Sequence, residues 1–440
     1  MLQLRYILRL TFAFVARFKV ILAAGALIGI ATFFFLRFLV PIIFGGGTQK
    51  IGVAGRFRVD TLPTAILQDV GEGLTKLDEN GIAQPALATT WETPDKGKTW
   101  IFHLGDDKFW QDGKKVTSDE IAYEFSDAKV EHSDSKTITF KLESPFSPFP
   151  TVVSSPIFKK GLLGTGEWKA TKVVVAGSYV TDMSLQTKDK LKKVYKFYPT
   201  EERLKLAYKL GEVDTILNIF NKEPFSSWKT VDIKTEVDKN QYAVVFFNVQ
   251  DKLTGEKSVR QALAYAIDKS KLNGPRAISP ISPNSWAYNP QVKPYNYDPD
   301  RAKELVGDLP KELKEVLEVK LVTTPLLLSA AEEIAKNWEE VGVKTILQVS
   351  SGVPTDYQAL LAIFDAPSDP DQYAIWHSTQ TSSNISHYKN DRIDKLLEDG
   401  RTELNLGERK KIYLDFQRFL VEDSPAAFLY HPTTYTITRK

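Results

Sequence analysis

The chain has 440 residues, 42% of them apolar and 25% charged, which is the composition of a folded protein with room for two or three domains. Its 57 basic side chains are nearly balanced by 55 acidic ones, and the resulting net charge of +2 excludes the strongly basic surface of a nucleic-acid binder. Cysteine is absent, which removes disulfides, thiolate metal sites, cysteine nucleophiles and a lipidated-cysteine tether together.

In chain order, Arg5, Arg9, Arg17 and Lys19 precede Val20–Leu36, seventeen residues without a charge, and Phe38–Phe44 extend the apolar run past Arg37. A membrane-spanning helix needs about 20 apolar residues, and an arginine near one end can snorkel to the interface. Basic residues before the span orient the N-terminus to the cytoplasm and the remainder outside. A cleaved signal peptide is the competing expectation, but its apolar region is shorter, about 7–15 residues, and ends at small residues. Here the run outlasts Ala23, Ala24 and Ala26, so an uncleaved anchor is expected, with Gly45–Gly47 as a short linker.

The exported body opens with a strand at Lys50–Ala54 and a helix over Ala65–Leu77 that Gly71 and Gly73 weaken. Asn80-Gly81 and Asp112-Gly113 signal tight turns. Thr99–Leu104 alternates as a half-buried strand, and Lys136–Leu142 is another. Thr117 with Glu120, Ser258 with Gln261, and Ser329 with Glu332 stand at capping-box spacing ahead of apolar helical patterns. Glu201–Leu210 reads as a helix stopped by Gly211. Ala243–Phe247 is an unbroken apolar run suited to a strand buried on both faces, and Val259, Ala262, Leu263, Ala266 and Ile267 give the next helix its apolar face. Beyond the loop Pro275–Pro299, strands and helices alternate: Asp298–Val306, Leu317–Val322, a helix to Gly342, Val343–Val349, Tyr357–Phe364, Arg392–Leu397, Glu408–Val421, Ala426–Tyr430 and Tyr435–Ile437. That alternation predicts an α/β fold with a mostly parallel sheet.

No catalytic motif is present. The five histidines form no H-E-x-x-H pair, and there is no nucleophile elbow, P-loop or dinucleotide fingerprint. The reading is therefore of no catalytic residues, no metal site and no cofactor. Asp365–Tyr388 is the one stretch with the composition of a pocket wall: Asp365 and Asp369 among prolines, then Tyr373, Trp376, His377, Gln380 and Asn384. A capped helix start with a buried tryptophan explains the same residues.

Several phrases in order resemble one family. FFNV-x9-VRQALAYAID over 246–268, the stretch Gly73–Phe125 with its QPALATTW and FWQDGKKVTSDE, GTGEWK at 164–169, LAYKLGEVDTI at 206–216 and DPDQYAIWHSTQ at 369–380 are similar to the family 5 extracellular solute-binding proteins, the peptide- and nickel-binding proteins of ABC importers. The resemblance spans about Lys50 to Lys440. It departs at Glu167, where the family has proline, and fewer residues separate the two N-terminal phrases than in the family, implying a shortened subdomain. The chain also stops earlier, implying a missing or rearranged final element of the first lobe.

The resemblance implies a two-lobed α/β periplasmic-binding-protein-like fold, type II with an extra small subdomain, preceded by one N-terminal transmembrane helix. Residues 1–47 would be cytoplasmic segment, anchor and linker; 48–247 lobe I with the small subdomain at about 69–160; 248–430 lobe II; and 431–440 the return, with crossings near Phe247–Asn248 and Tyr430–Pro432. The implied function is capture of a peptide or other small solute between the lobes, without chemistry, by a monomer that docks on permease subunits in the membrane. A tethered sensor or adaptor on the same scaffold, or an extracytoplasmic enzyme, are the alternatives. Phe57, Phe109 and Trp110 would face the cleft from lobe I, opposite Asp365, Asp369, Tyr373, Trp376, His377, Gln380 and Asn384. Peptide binders of the family place a carboxylate for the ligand's ammonium where Ala366 stands here, one residue from Asp365.

Overall fold

The computed structural model describes residues 16–21, 23–25, 27–35, 47–352, 354 and 356–440. Arg5, Arg9, Arg37, Phe38–Phe44, Gly45 and Gly46 lie outside the described residues. Ala16–Phe35 is a helix of 20 residues with mean hydropathy 2.1, long and apolar enough to cross a membrane by length and composition, a test that a signal sequence near the N-terminus also passes.

The body is built on two large sheets. The first has seven strands in the order Val231–Val237, Thr433–Arg439, Thr215–Ile219, Thr48–Ala54, Lys192–Tyr198, Tyr179–Gln186 and Lys169–Ala176. The second has five, in the order Lys344–Val349, Glu318–Thr323, Ala359–Asp365, Gln241–Phe247 and Ala426–Tyr430. Neither is mostly parallel. In the five-stranded sheet Ala359–Asp365 runs parallel to Glu318–Thr323 but antiparallel to Gln241–Phe247, which is antiparallel again to Ala426–Tyr430. The reason is connectivity: strands joined through helices within the lobe pair in parallel, whereas Gln241–Phe247 arrives from the other lobe and enters from the opposite end to both its neighbours.

Gln241–Phe247 carries the second lobe. All of Tyr242–Phe247 is buried. Tyr242 and Phe246 face Phe364, Phe428 and Trp376, with ring centroids 5.4–5.8 Å apart, while Phe247 looks the other way toward Trp338. Residues two apart share a face, so an uninterrupted apolar run is what two covered faces require. This strand also moves the first crossing. It belongs wholly to the five-stranded sheet, so the chain changes lobe at Asp238–Asn240 and not at Phe247–Asn248. Ala426–Tyr430 belongs to the five-stranded sheet and Thr433–Arg439 to the seven-stranded one, so the second change of sheet falls at His431–Pro432.

His431 marks that second crossing. Burial holds its imidazole below the usual histidine pKa, and its Nδ1 lies 2.7 Å from the Gln241 carbonyl beside the first crossing. A depressed native pKa means that the unfolded chain takes up a proton the folded chain refuses as pH falls below about 6.5. Stability is therefore expected to drop on acidification through that window, by at most about 1.4 kcal/mol per pH unit. His431→Gln should remove that part of the slope in urea titrations at neutral and mildly acidic pH; an unchanged slope would show that His431 does not set it.

The small subdomain is a four-stranded sheet, Ala88–Glu92, Thr99–Leu104, Thr137–Leu142 and Ala128–Asp134 in antiparallel order 1-2-4-3 along the chain, over a core of Trp100, Phe102, Trp110, Phe140 and Phe149. The expected helix over Ala65–Leu77 ends at Val70, because a Cβ at Gly73 would lie 2.6 Å from the Val153 and Ser154 carbonyls and the chain passes there as extended backbone into Thr75–Leu77. Ile121–Phe125 is not helical either. Only Ser118–Glu120 makes a single turn, since Tyr123 and Phe125 stack on each other and edge onto Phe140.

Gln111 ties this subdomain to the first lobe. Its Nε2 lies 2.9–3.1 Å from the carbonyls of Val70, Gly166 and Trp168, and its Oε1 accepts from the Gly164 N–H at 3.3 Å. The GTG phrase is thus a close backbone approach: a Cβ at Gly164 would meet the Val70 oxygen at 2.1 Å. Val70 O keeps the Gly166 N–H, but the Gly166 and Trp168 carbonyls lose the Gln111 donor, so Gln111→Ala is expected to cost about 1–3 kcal/mol. Faster proteolysis between Gly164 and Trp168 would accompany it; an unshifted unfolding midpoint would count against this role.

Candidate functional site

The parallel strands Thr48–Ala54, Lys192–Tyr198 and Thr215–Ile219 of the first lobe end on the side that faces the second. There Glu318–Thr323 and Ala359–Asp365 also end, beside the two crossings. Open α/β sheets bind ligands outside the carboxyl ends of their strands, where backbone turns and helix starts leave room. A groove of about 400 Å³ occupies this position. Phe220, Lys222 and Glu223 follow the end of Thr215–Ile219; Leu326, Leu327 and Glu333 follow the end of Glu318–Thr323; Ile363, Tyr430 and Tyr435 close it from the sheets.

The charges in the groove are arranged unevenly. Lys271 and Glu333 pair at 3.1 Å, and that bond holds the glutamate below its usual range. Glu223 accepts from the Ser226 hydroxyl at 2.6 Å. Lys222 has no carboxylate partner among the described residues; its ammonium sits 5.3 Å from the Tyr435 ring centre. Burial raises the Tyr430 hydroxyl to about 12, so it stays a neutral donor at physiological pH. Leu326 is 52% exposed, an apolar side chain left open to the groove.

Of the residues expected to bind, Asp365 comes nearest to this groove. It lies two residues beyond Ile363 on the same strand, hence on the same face, and is exposed. One carboxylate oxygen accepts from Gln241 Nε2 at 2.8 Å and no cation pairs with it among the described residues. Ala366 is occupied differently, donating its N–H to the Asn240 carbonyl at 2.7 Å.

The remaining candidates are spread through the structure. Phe57 follows the carboxyl end of the first strand but packs on Phe197 at 5.4 Å. Phe109 is exposed on the small subdomain, and Trp110 is buried in its core with Nε1 donating to Glu120 at 2.7 Å. Trp376 is buried on the sheet face opposite Asp365 and Ile363. Asp369 is buried in a two-point pair with Arg409, and neighbouring Asp371, whose carboxyl burial raises, meets Arg401 Nε at 3.0 Å. Asn384 closes a turn, donating to the Tyr388 carbonyl at 2.8 Å and accepting the Tyr388 N–H at 3.1 Å. Gln380 contacts Thr379. His377 is buried, its Nδ1 2.8 Å from the Thr379 hydroxyl and its ring stacked on Tyr373 at 4.0 Å. Tyr373 lines a second interlobe cavity of about 570 Å³ with Phe125, Phe146, Phe149 and Arg401. Among the described residues no three His, Asp or Glu side chains converge as a metal site.

This geometry is that of a two-lobed binding protein, and the sequence matches the bacterial extracellular solute-binding proteins, family 5 (middle region), over residues 83–384. The chain belongs to that family. Among relatives, the oligopeptide-binding protein AppA of Bacillus subtilis is 24% identical, across 89% of this chain and 87% of AppA. The dipeptide-binding protein of Escherichia coli is 22% identical across 81% and 82%. In solved structures, NikZ from Campylobacter jejuni in complex with Ni(L-His) superposes with a TM-score of 0.73 at 24% identity, covering 89% of this chain and 94% of NikZ. CtaP from Listeria monocytogenes gives 0.74 at 21% identity, covering 90% and 94%. As a member of family 5 the chain is an extracytoplasmic solute-binding protein and not an enzyme.

The residues that line the groove were not singled out from the sequence. Phe220–Glu223 and Leu326–Glu333 lie about a hundred positions apart and meet only because two strands end at the same crossing. The available signal was positional: each segment lies just beyond the end of a strand, and each is flanked by a proline that turns the chain away, Pro224 after the first and Pro325 before the second.

Proposed function

We propose that this chain is the membrane-anchored solute-binding protein of an ABC importer and that its solute is a short peptide held in the interlobe groove. The observation that carries the reading is a pair of opposite charges without ion-pair partners among the described residues: Lys222 of the first lobe lines the groove, and Asp365 of the second lies two residues beyond the lining residue Ile363 on the same strand face, with Leu326, Ile363 and Tyr430 as wall. A peptide is a zwitterion with apolar or polar side chains between its termini, and desolvated ion pairs at both ends fix register as well as affinity. The names of the relatives, oligopeptide- and dipeptide-binding, support the same class. A ligand touching both lobes stabilises their closed arrangement by its differential affinity for it, and the closed form would dock on the permease. The apolar N-terminal helix supports anchoring.

Native mass spectrometry of the purified chain, followed by thermal unfolding with di-, tri- and longer peptides, tests this. A peptide at a hundred times its Kd should stabilise the protein by about 2.7 kcal/mol. Stoichiometric binding of a non-peptide solute, with no response to any peptide, would replace the proposed ligand class.

A further inference from the structure

The second interlobe cavity, of about 570 Å³, lies between the small subdomain and the second lobe and shares no lining residue with the peptide groove. Phe125 and Phe146 wall it from the subdomain and Tyr373 from the second lobe. Asp127 and Glu143 of the subdomain and Glu398 of the second lobe line it as exposed carboxylates. The sheet itself sets two of these acids side by side. Ala128 pairs with Leu142 at the end of the register, and one step past it the Glu143 N–H donates to the Asp127 carbonyl at 3.3 Å. Like charges facing each other across a strand pair are destabilising. No lysine or arginine pairs with any of the three among the described residues: Lys129 and Lys141 both bond Glu131, at 2.8 and 2.7 Å, and Lys395 bonds Asp399 at 2.7 Å. Glu398 has only the buried His377, whose Nε2 stands 3.4 Å away without a hydrogen-bond partner.

The cation already present shows what the walls accept. Arg401 sets its guanidinium carbon 4.8 Å from the Phe146 ring centre and 4.2 Å from that of Tyr373, and its charge is met by Asp371, with Nε 3.0 Å from the carboxylate. Aromatic faces attract cations through their quadrupole, the more so where water is excluded. What is left over is negative charge beside an aromatic wall, in a volume within the range of about 300–1,000 Å³ that small-molecule pockets occupy. We infer that this cavity is a second binding site, for a small organic cation: a guanidinium or alkylammonium head meets Asp127, Glu143 and Glu398, and its apolar stem lies along Phe125 and Phe146. The carboxylates come from both sides, so the occupant bridges the small subdomain to the second lobe beside the contact that joins them, Ser147 N–H to the Arg401 carbonyl at 2.7 Å. By its differential affinity it favours the closed arrangement of the lobes, adding to the effect of a peptide in the groove.

Isothermal titration of the full chain in a neutral detergent tests this, with butylguanidine and pentylamine as cations and pentanol as their uncharged counterpart. One equivalent of cation is expected to bind, more weakly as salt is added, and pentanol is not. Asp127→Asn/Glu143→Gln/Glu398→Gln should weaken the cation roughly tenfold or more, and Phe125→Leu several-fold. The three acids are exposed, so the triple variant keeps its fold, which an unlowered urea midpoint checks. No binding of either cation, pentanol binding as well as they do, or an unchanged affinity in either variant would overturn the inference. The titration is then repeated with the chain saturated by whichever peptide gives the largest thermal response. Cation binding should persist or strengthen; its loss by competition would place the cation in the groove and refute a second site. If no peptide binds, the peptide reading fails, while the cation titration and its variants still decide this one.

Discussion

Replacing Arg409 with methionine is expected to destabilise the second lobe by about 3–5 kcal/mol, the largest effect of any single substitution considered. Arg409 is 5% exposed and gives Asp369 two parallel bonds, at 2.9 and 2.5 Å; its Nε donates to the Gly400 carbonyl at 2.7 Å. Burial alone would lower its pKa, but the Asp369 charge outweighs burial and holds the guanidinium above its normal value. The pair joins the helix Leu406–Asp423, the end of the helix Asp391–Thr402 and the loop that leaves Asp365. Methionine fills much of the arginine stem but abandons Asp369 as a buried, unpaired carboxylate, which is where the cost arises. Asp369→Asn/Arg409→Met should recover a large part of the loss, because neither partner is then charged. Urea unfolding followed by tryptophan fluorescence measures both. A single variant within 1 kcal/mol of the parent, or a double variant weaker than the single, would contradict this account.

The pair also explains why Asp369 looked like a ligand residue. Acids among prolines beside an aromatic run are the composition of a pocket wall, and equally of a buried polar cluster that braces one. Trp376 and Asn384 are of the second kind, one filling the sheet face away from the groove and the other closing a turn. Strands with two covered faces were legible because their signal is local: Ala243–Phe247 and Ala426–Tyr430 are apolar throughout and lie within or match the strands. The capping boxes were not, because a spacing says which bonds a side chain could make locally and nothing about better partners elsewhere. Gln261 bonds Tyr295 and the Glu422 carbonyl, and Glu120 bonds Trp110 and Lys159. Among the described residues, the α-helices with side-chain caps use Thr200, Asp298, Asn390 and Asn405. The meander Lys169–Tyr198 escaped notice for a related reason. It forms one end of its sheet, so its alternation mixes lysines with valines and lacks the apolar run of a central strand.

Asp365→Asn is expected to weaken peptide binding about 30-fold or more, with little change in stability. The substitution keeps the side chain's size and its bond to Gln241 Nε2, since the amide oxygen can accept in place of the carboxylate. Asp365 is exposed in the free protein, so no buried network loses a partner when its charge is removed. In the complex the same carboxylate would be desolvated against the ligand's ammonium, and truncating one side of such a pair costs about 2–5 kcal/mol, mostly through faster dissociation. Acetylating the peptide's N-terminus should reproduce the loss on the parent protein and add little on Asp365→Asn, which is the signature of a direct pair. Lys222→Met gives the complementary measurement: its penalty should be larger for a peptide with a free carboxylate than for its amide. Calorimetry across this grid decides between two arrangements of the groove. If acetylation and Asp365→Asn are additive, the ammonium lies elsewhere, and the polar cavity of about 640 Å³ between Asp78–Gly81, Asn240, Ser282–Ser285 and Ser368 becomes the position for it, because Asp78 and Glu79 supply the acids there.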